Sequence, residues 1–246
     1  TRSKARFEVH GGPFQVKGKL NTEAGYSPQT SGEISMHLDA KTIYSGLPNY
    51  DEADIDSDKG SRFSFIPGKA ATRGGFFTNH NDYSWNDIGT YSAAFGKNVK
   101  AAADFSFVVG DSSSVFSGAT NSIAMGQRNV VKGGNNVLIG IENSDRSGGI
   151  ATTIAINSVL IGHNNTTAGN ASYMFGKNNM ALPSGNSTLL IGEGNKSLGG
   201  NFNNIIGIDN TADGNSSFIF GYQDSVSGLL AFALGYDNKV SGNQSF

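Results

Sequence analysis

The sequence predicts an all-β solenoid, in which coils of about 14 residues stack into a column and three chains make one fibre. Three observations carry this expectation. A short apolar run closed by Gly recurs along the C-terminal two-thirds of the chain, an Asn or Asp follows most of these glycines at a fixed distance, and several runs are apolar at three positions together.

The runs begin with Ser92-Ala93-Ala94-Phe95-Gly96, Ser106-Phe107-Val108-Val109-Gly110 and Ser122-Ile123-Ala124-Met125-Gly126, and end with Ala231-Phe232-Ala233-Leu234-Gly235. Successive closing glycines lie 14, 16, 14, 22, 14, 16, 15, 14 and 14 residues apart. A fixed period of this kind is the signature of a repeat architecture. Three residues after the closing glycines stand Asn129, Asn143, Asn165, Asn179, Asn195, Asn210, Asp224 and Asn238, and a second corner ends in Gly at 133, 169, 185, 200, 214, 228 and 242. Gly and Asn tolerate left-handed backbone, so each coil has two sharp corners. Between them there is room for two strands of four or five residues. Helix is excluded here, because the glycines come too often and the apolar runs are too short.

Neighbouring side chains of a strand point to opposite faces, so a strand with one wet face alternates apolar and polar residues. Val137-Leu138-Ile139, Val159-Leu160-Ile161, Tyr173-Met174-Phe175, Leu189-Leu190-Ile191 and Phe218-Ile219-Phe220 do not alternate. Both of their faces need cover. One faces the interior of the roll, and an identical chain around a shared axis is the simplest cover for the other. The residues expected in the roll core or between chains are Met125, Val137, Leu138, Ile139, Leu160, Ile161, Met174, Phe175, Leu190, Ile191, Phe218 and Phe220.

Composition narrows the function. Of 246 residues 34 are Gly and 15% are charged, yet 37% are hydrophobic, enough for a packed core. The net charge of -2, without a basic cluster, offers no footprint for nucleic acid or an anionic membrane. No run reaches the roughly 18–20 apolar residues of a membrane helix. Cysteine is absent, so packing alone holds the fold, as suits an exported protein. The chain opens on Thr1 and its last residues, 242–246, stand where another repeat would begin, which reads as a piece of a longer fibre.

The unit of Ser, alternating apolar and Ala residues and Gly, followed by Asn and a small-residue corner, resembles the head repeat of trimeric autotransporter adhesins of the YadA type. Ser122–Gly126 and Ala231–Gly235 are its nearest matches, and the resemblance covers residues 91–246. It implies a left-handed parallel β-roll, trimeric, extracellular and adhesive. The same repeat occurs in phage tail fibres, so mounting on a bacterial surface and mounting on a virion or tail both stay open. Phe95, Phe107, Phe175 and Phe220 depart from the family's preference for Val or Ile. Residues 61–90 are similar to lead-in segments that precede such heads.

Residues 1–60 are expected to form a small β-rich domain or junction. Phe7, Val9, Phe14, Val16 and Leu20 alternate around Gly11-Gly12-Pro13 as in a hairpin, and Ile34 to Ile43 holds a further strand. Within 61–90, the stretch that includes Phe77, His80, Tyr83 and Trp85 mixes flat rings with short polar groups. Such a surface suits a sugar, and it equally suits a cap on the first coil, the reading the sequence favours. The 22-residue interval between Gly140 and Gly162 predicts a loop over 144–150, with Asp145 and Arg146 as candidate contacts, a spacer or a clasp between the chains of a trimer being the other readings of it.

Nothing in the sequence calls for a cofactor or a catalytic site. Asp54, Asp56 and Asp58 hint at a calcium loop, but Phe65 stands where an EF-hand needs Glu, and a solvated acidic loop fits better. His10, His37, His80 and His163 are too scattered for a metal. The function expected is attachment of a trimeric fibre to a surface glycan or protein receptor. A structural shaft is the alternative, and a polysaccharide-cleaving tailspike, for which the sequence offers no acid–base pair, is the third reading.

Overall fold

The computed structural model describes residues 37–38, 60–66, 69–78, 87–145, 155–183 and 185–246. The hairpin expected over residues 5–20, the acidic loop at 54–59 and most of the aromatic stretch at 76–85 lie outside them. Of the strand expected at 34–43, the two-residue strand β1 (His37–Leu38) is described, antiparallel to β2 (Gly60–Ile66). β2 pairs antiparallel with β3 (Ala71–Phe77), and β3 lies parallel to β4 (Ala93–Lys97).

From β4 onward the chain is a parallel β-solenoid of about ten turns. Each turn contributes one five-residue strand to a continuous sheet, and the closing glycines pair in register from coil to coil, as Gly126↔Gly140 and Gly140↔Gly162 show. The second strand of each turn is only two residues long, such as Thr166–Thr167 or Met180–Ala181, where the sequence predicted four or five. The corners use up the difference. A residue of positive φ precedes each inward Asn, as at Asn164 (φ 54°) and Asn178 (φ 56°), and takes the chain round before a longer strand can form.

The second residue of each long strand points inward. Leu138, Leu160, Met174, Leu190, Ile205 and Ile219 have no exposed surface and stack into one core with Val115, Val131 and Ala212 of the short strands. Of the expected core set, Leu138, Leu160, Met174 and Leu190 therefore fill the roll. Met125, Val137, Ile139, Ile161, Phe175, Ile191, Phe218 and Phe220 sit on its outer face, half-buried or exposed in the single chain.

Two polar ladders bracket that core. At one corner Asn143 donates from its backbone N (3.0 Å) and Nδ2 (3.1 Å) to Asn129 Oδ1. Its Nδ2 also donates to Ile139 O (3.0 Å) in its own coil and to Gly162 O (2.9 Å) in the next. Asn165, Asn195 and Asn210 continue the pattern. At the other corner Ser158 N donates to Asn136 Oδ1 (2.7 Å) and Ser172 N to Ser158 Oγ (3.1 Å). The side chains thus satisfy the backbone groups that the corners leave without strand partners. The closing glycine is obligatory for a further reason. Gly140 has φ 120°, and a Cβ there would lie 1.9 Å from Gly162 O of the next coil.

The ladder has one misfit. Asp224 Oδ1 accepts from Asn238 N (2.7 Å) and Nδ2 (2.9 Å) as an Asn would, but its buried Oδ2 has no hydrogen-bond partner. In the Asn rungs that position is a donor. Gly221, three residues before it, departs from the φ of 115–138° kept by the other nine closing glycines. Asp224→Asn is therefore expected to stabilise the chain by about 1–3 kcal/mol, since it turns an unpaired acceptor into a donor. Asn165→Ala removes a rung and is expected to cost about 3 kcal/mol. Thermal melts of the two variants should move in opposite directions from the parent chain.

Candidate functional site

The outer face of the long-strand sheet is the largest feature that the packing of the single chain leaves unexplained. The residues before and after each buried second residue point outward and line up in two columns. One runs Ala93, Phe107, Ile123, Val137, Val159, Tyr173, Leu189, Asn204, Phe218 and Phe232, and the other runs from Phe95 to Leu234. Only Asn204 interrupts them with an amide. Rings stack along the face, Phe218 on Phe232 at 5.3 Å and 4° between planes. At about 4.8 Å per layer the stripe is on the order of 50 Å long. Phe220 is 51% exposed and Leu234 63%.

One edge of the stripe carries charge. Arg128 Nε and Nη2 reach Glu142 Oε1 at 2.8 and 2.6 Å, His163 Nε2 stands 3.4 Å from Glu142 Oε2, and Lys177 Nζ is 3.2 Å from Glu193. The Arg128 guanidinium, with a smaller contribution from His163, holds the Glu142 carboxyl below its ordinary range. These pairs link adjacent coils and are exposed, so each adds little to stability.

Arg73 heads the inner column. It pairs in register with Ala94 and is 1% exposed, with Nη1 donating to Ser92 O (3.1 Å) and Nη2 to Ser92 Oγ (2.8 Å) and Ala101 O (2.7 Å). The aromatic cap that the sequence favours falls mostly outside the described residues; among those described, Arg73 stands over the inward Ala94 of the first coil, and the alignment of Gly75 with Gly96 is the signal that would have found it.

The candidate contacts at the insertion separate sharply. Asp145 is not available to a ligand, which corrects the expectation: it points into the roll and is fully buried. Its carboxylate accepts from Lys132 N (2.8 Å), Gly133 N (2.7 Å) and Asn136 Nδ2 (2.8 Å). Burial pushes this carboxyl above its ordinary range, against the pull of those donors. Asn136 Nδ2 also donates to Ala155 O (2.7 Å), and Ala155 N donates to Asp145 O (3.2 Å). The two ends of the excursion are thereby fastened together. Arg146, His80, Tyr83 and Trp85 lie outside the described residues, and Phe77 ends β3, with its backbone alone described. Among the described residues no group of three or more His, Asp or Glu could hold a metal, and no helix is long and apolar enough to cross a membrane.

No protein-family model matches the chain, and no curated protein matches it.

In the next coil Thr167 and Gly169 occupy the places of Asp145 and Ala155, so residues 146–154 replace the single residue Ala168. That accounts for the eight extra residues of the 22-residue interval. Replacing 146–154 by one Ala is expected to leave the thermal midpoint of the column within a few degrees of the parent. Asp145→Ala should lower it by several degrees, as two backbone N–H groups and an amide lose a buried acceptor worth about 2–4 kcal/mol. Melting curves on both variants check the pair, and collapse of the loop replacement would show that the ends are not independently fastened.

Proposed function

We propose that this chain is one of three identical subunits of an extracellular fibre that attaches a bacterial cell, or a phage-like particle, to a target surface. The observation that supports it is the outer apolar stripe on a chain whose inner core is already full. A fully buried large apolar side chain contributes about 1.5–3 kcal/mol. Twenty outward positions, nearly all apolar, therefore outweigh an association cost on the order of 4–15 kcal/mol even when each is only half covered further. A stripe parallel to the column axis suits copies laid side by side, and closed symmetry then covers it on every chain.

The likeness of the coil to the head repeat of YadA-type trimeric adhesins favours three copies, left-handed winding and an adhesive role. Attachment through shallow contacts repeated around three chains gains from avidity without a deep pocket. The receptor in this reading is a glycan or protein of the target surface, and catalysis plays no part. The uniform coil also suits a shaft that holds a binding tip at a distance. An isolated chain that is silent on cells and on glycan arrays would favour the shaft.

Native mass measurement tests the assembly. The expected species has three times the 25.7 kDa mass of the chain, and Ile161→Lys with Phe220→Lys should release monomers. A stable parent monomer at micromolar concentration would overturn the trimer. Labelled parent chain is expected to adhere to target cells with an apparent affinity at least tenfold above that of the monomeric variant.

A further inference from the structure

The corner that precedes each long strand holds an anomaly that neither the fold nor the apolar stripe uses. One residue per coil there has positive φ, and in three coils it is Asn: Asn121 (56°), Asn135 (58°) and Asn157 (57°). Asn suits that backbone, because its short side chain tolerates the left-handed region. Bulky side chains stand at the same position in four coils, singly at Phe202 (φ 62°) and Leu230 (φ 54°) and in two adjacent coils at Tyr91 (φ 56°) and Phe105 (φ 56°). Bulky rings are disfavoured there, and Tyr91 and Phe105 gain little burial in return, with 61% and 58% of their surfaces exposed. They stack on each other, centroids 5.0 Å apart and planes at 19°. A conformational outlier whose outer face stays open to solvent is a reason to look for a contact outside the chain.

The chemistry of the column names the contact. Past the two rings the Asn side chains form an exposed line, Asn121 Nδ2 donating to Asn135 Oδ1 (3.2 Å) and Asn135 Nδ2 to Asn157 Oδ1 (3.1 Å). Each amide has a second N–H or lone pair to offer outward. Five successive layers thus present flat carbon and then a row of amide donors and acceptors, one step every ~4.8 Å. A hexose advances an extended glycan by about the same step, and sugars combine C–H faces, which lie on rings, with hydroxyls, which bond amides. No Lys or Arg stands in this column, and exposed Asp104, which accepts from Thr90 N (2.7 Å), adjoins Phe105. An uncharged chain fits this setting and an anionic one does not. A further copy of the protein fits poorly as well, because the column holds polar or small residues from Asn121 through Ala171 and Ser187 and is apolar again only at Phe202 and Leu230, whereas the apolar stripe runs through all ten coils.

We infer that the corner built by Tyr91, Phe105, Asn121, Asn135 and Asn157 is a binding site for an uncharged saccharide chain lying parallel to the column axis. The inference rests on the adhesive reading and specifies its ligand. The test compares the parent with Tyr91→Asn/Phe105→Asn, which gives both positions the residue that the corner favours. Calorimetric titration with cellohexaose and with chitohexaose is expected to show binding of at least one by the parent and at least tenfold weaker binding by the variant. The variant should melt no lower than the parent and keep the parent's native mass. Binding of neither saccharide by the parent, or equal binding by both proteins, would overturn the site. A fall in the variant's native mass would overturn it too, by making the corner a contact between copies. Cell adhesion separates the two readings: adhesion equal in parent and variant removes this site and leaves the adhesive role, whereas a parent that does not adhere removes both.

Discussion

The structure depends on how closely one coil lies on the next at the corners. A closing glycine such as Gly140 leaves room for the carbonyl of Gly162 in the space a Cβ would take, and the amide of Asn143 then ties that carbonyl to its own coil. These two contacts fix the axial register. A slip of one residue between layers would turn Leu160 out and Ile161 in and would break the amide ladder at the same time. The period of about 14 residues follows from this pairing of glycine and asparagine. The apolar residues between the corners are free to vary in size, and do, from Ala124 to Met174.

Rigid register has a consequence for the outer face. Because every coil presents its strand at the same height and angle, the outward residues fall into straight columns. A column of apolar side chains cannot hide by local rearrangement, as a patch on a loop can, since any shift would cost the ladder behind it. In the proposed fibre the surface it needs comes from another chain. The polar ladders inside and the apolar stripe outside are thus one arrangement. The amides at the corners hold the geometry that makes the sheet face flat and continuous.

Much of this was legible in the sequence, and the reasons for what was not are specific. Gly and Asn report backbone conformation directly, so the corners and the period could be read from residue type and spacing, whereas strands apolar on both faces did not say that Leu160, Met174 and Leu190 are the inward residues. The length of the second strand could not be read either, because the corner residues at positive φ, such as Asn164 and Asn178, carry no signal that says how many neighbours they take out of the strand. Arg73 and Asp145 were hidden for a different reason. A charged residue in a repeat protein is expected at the surface, and only three-dimensional alignment with Ala94 and Thr167 places each on an inward column. Once inside, both are held by hydrogen bonds to backbone and side-chain groups, the condition under which a buried charge is tolerated.

A column of this kind is nearly one-dimensional, with each coil stabilised by its two neighbours. A defect is then felt locally. In the coil that holds the unpaired oxygen of Asp224, Gly221 departs from the common backbone, while Gly207 and Gly235 on either side keep it. The insertion likewise leaves and re-enters between Asp145 and Ala155 without shifting the register of Val137 on Val159. Substitution at an exposed corner is therefore decoupled from the fold, provided that the residue accepts positive φ. Tyr91 and Phe105 are poor choices by that local rule, and in an architecture where better ones would change nothing else, their presence calls for a cause outside the column.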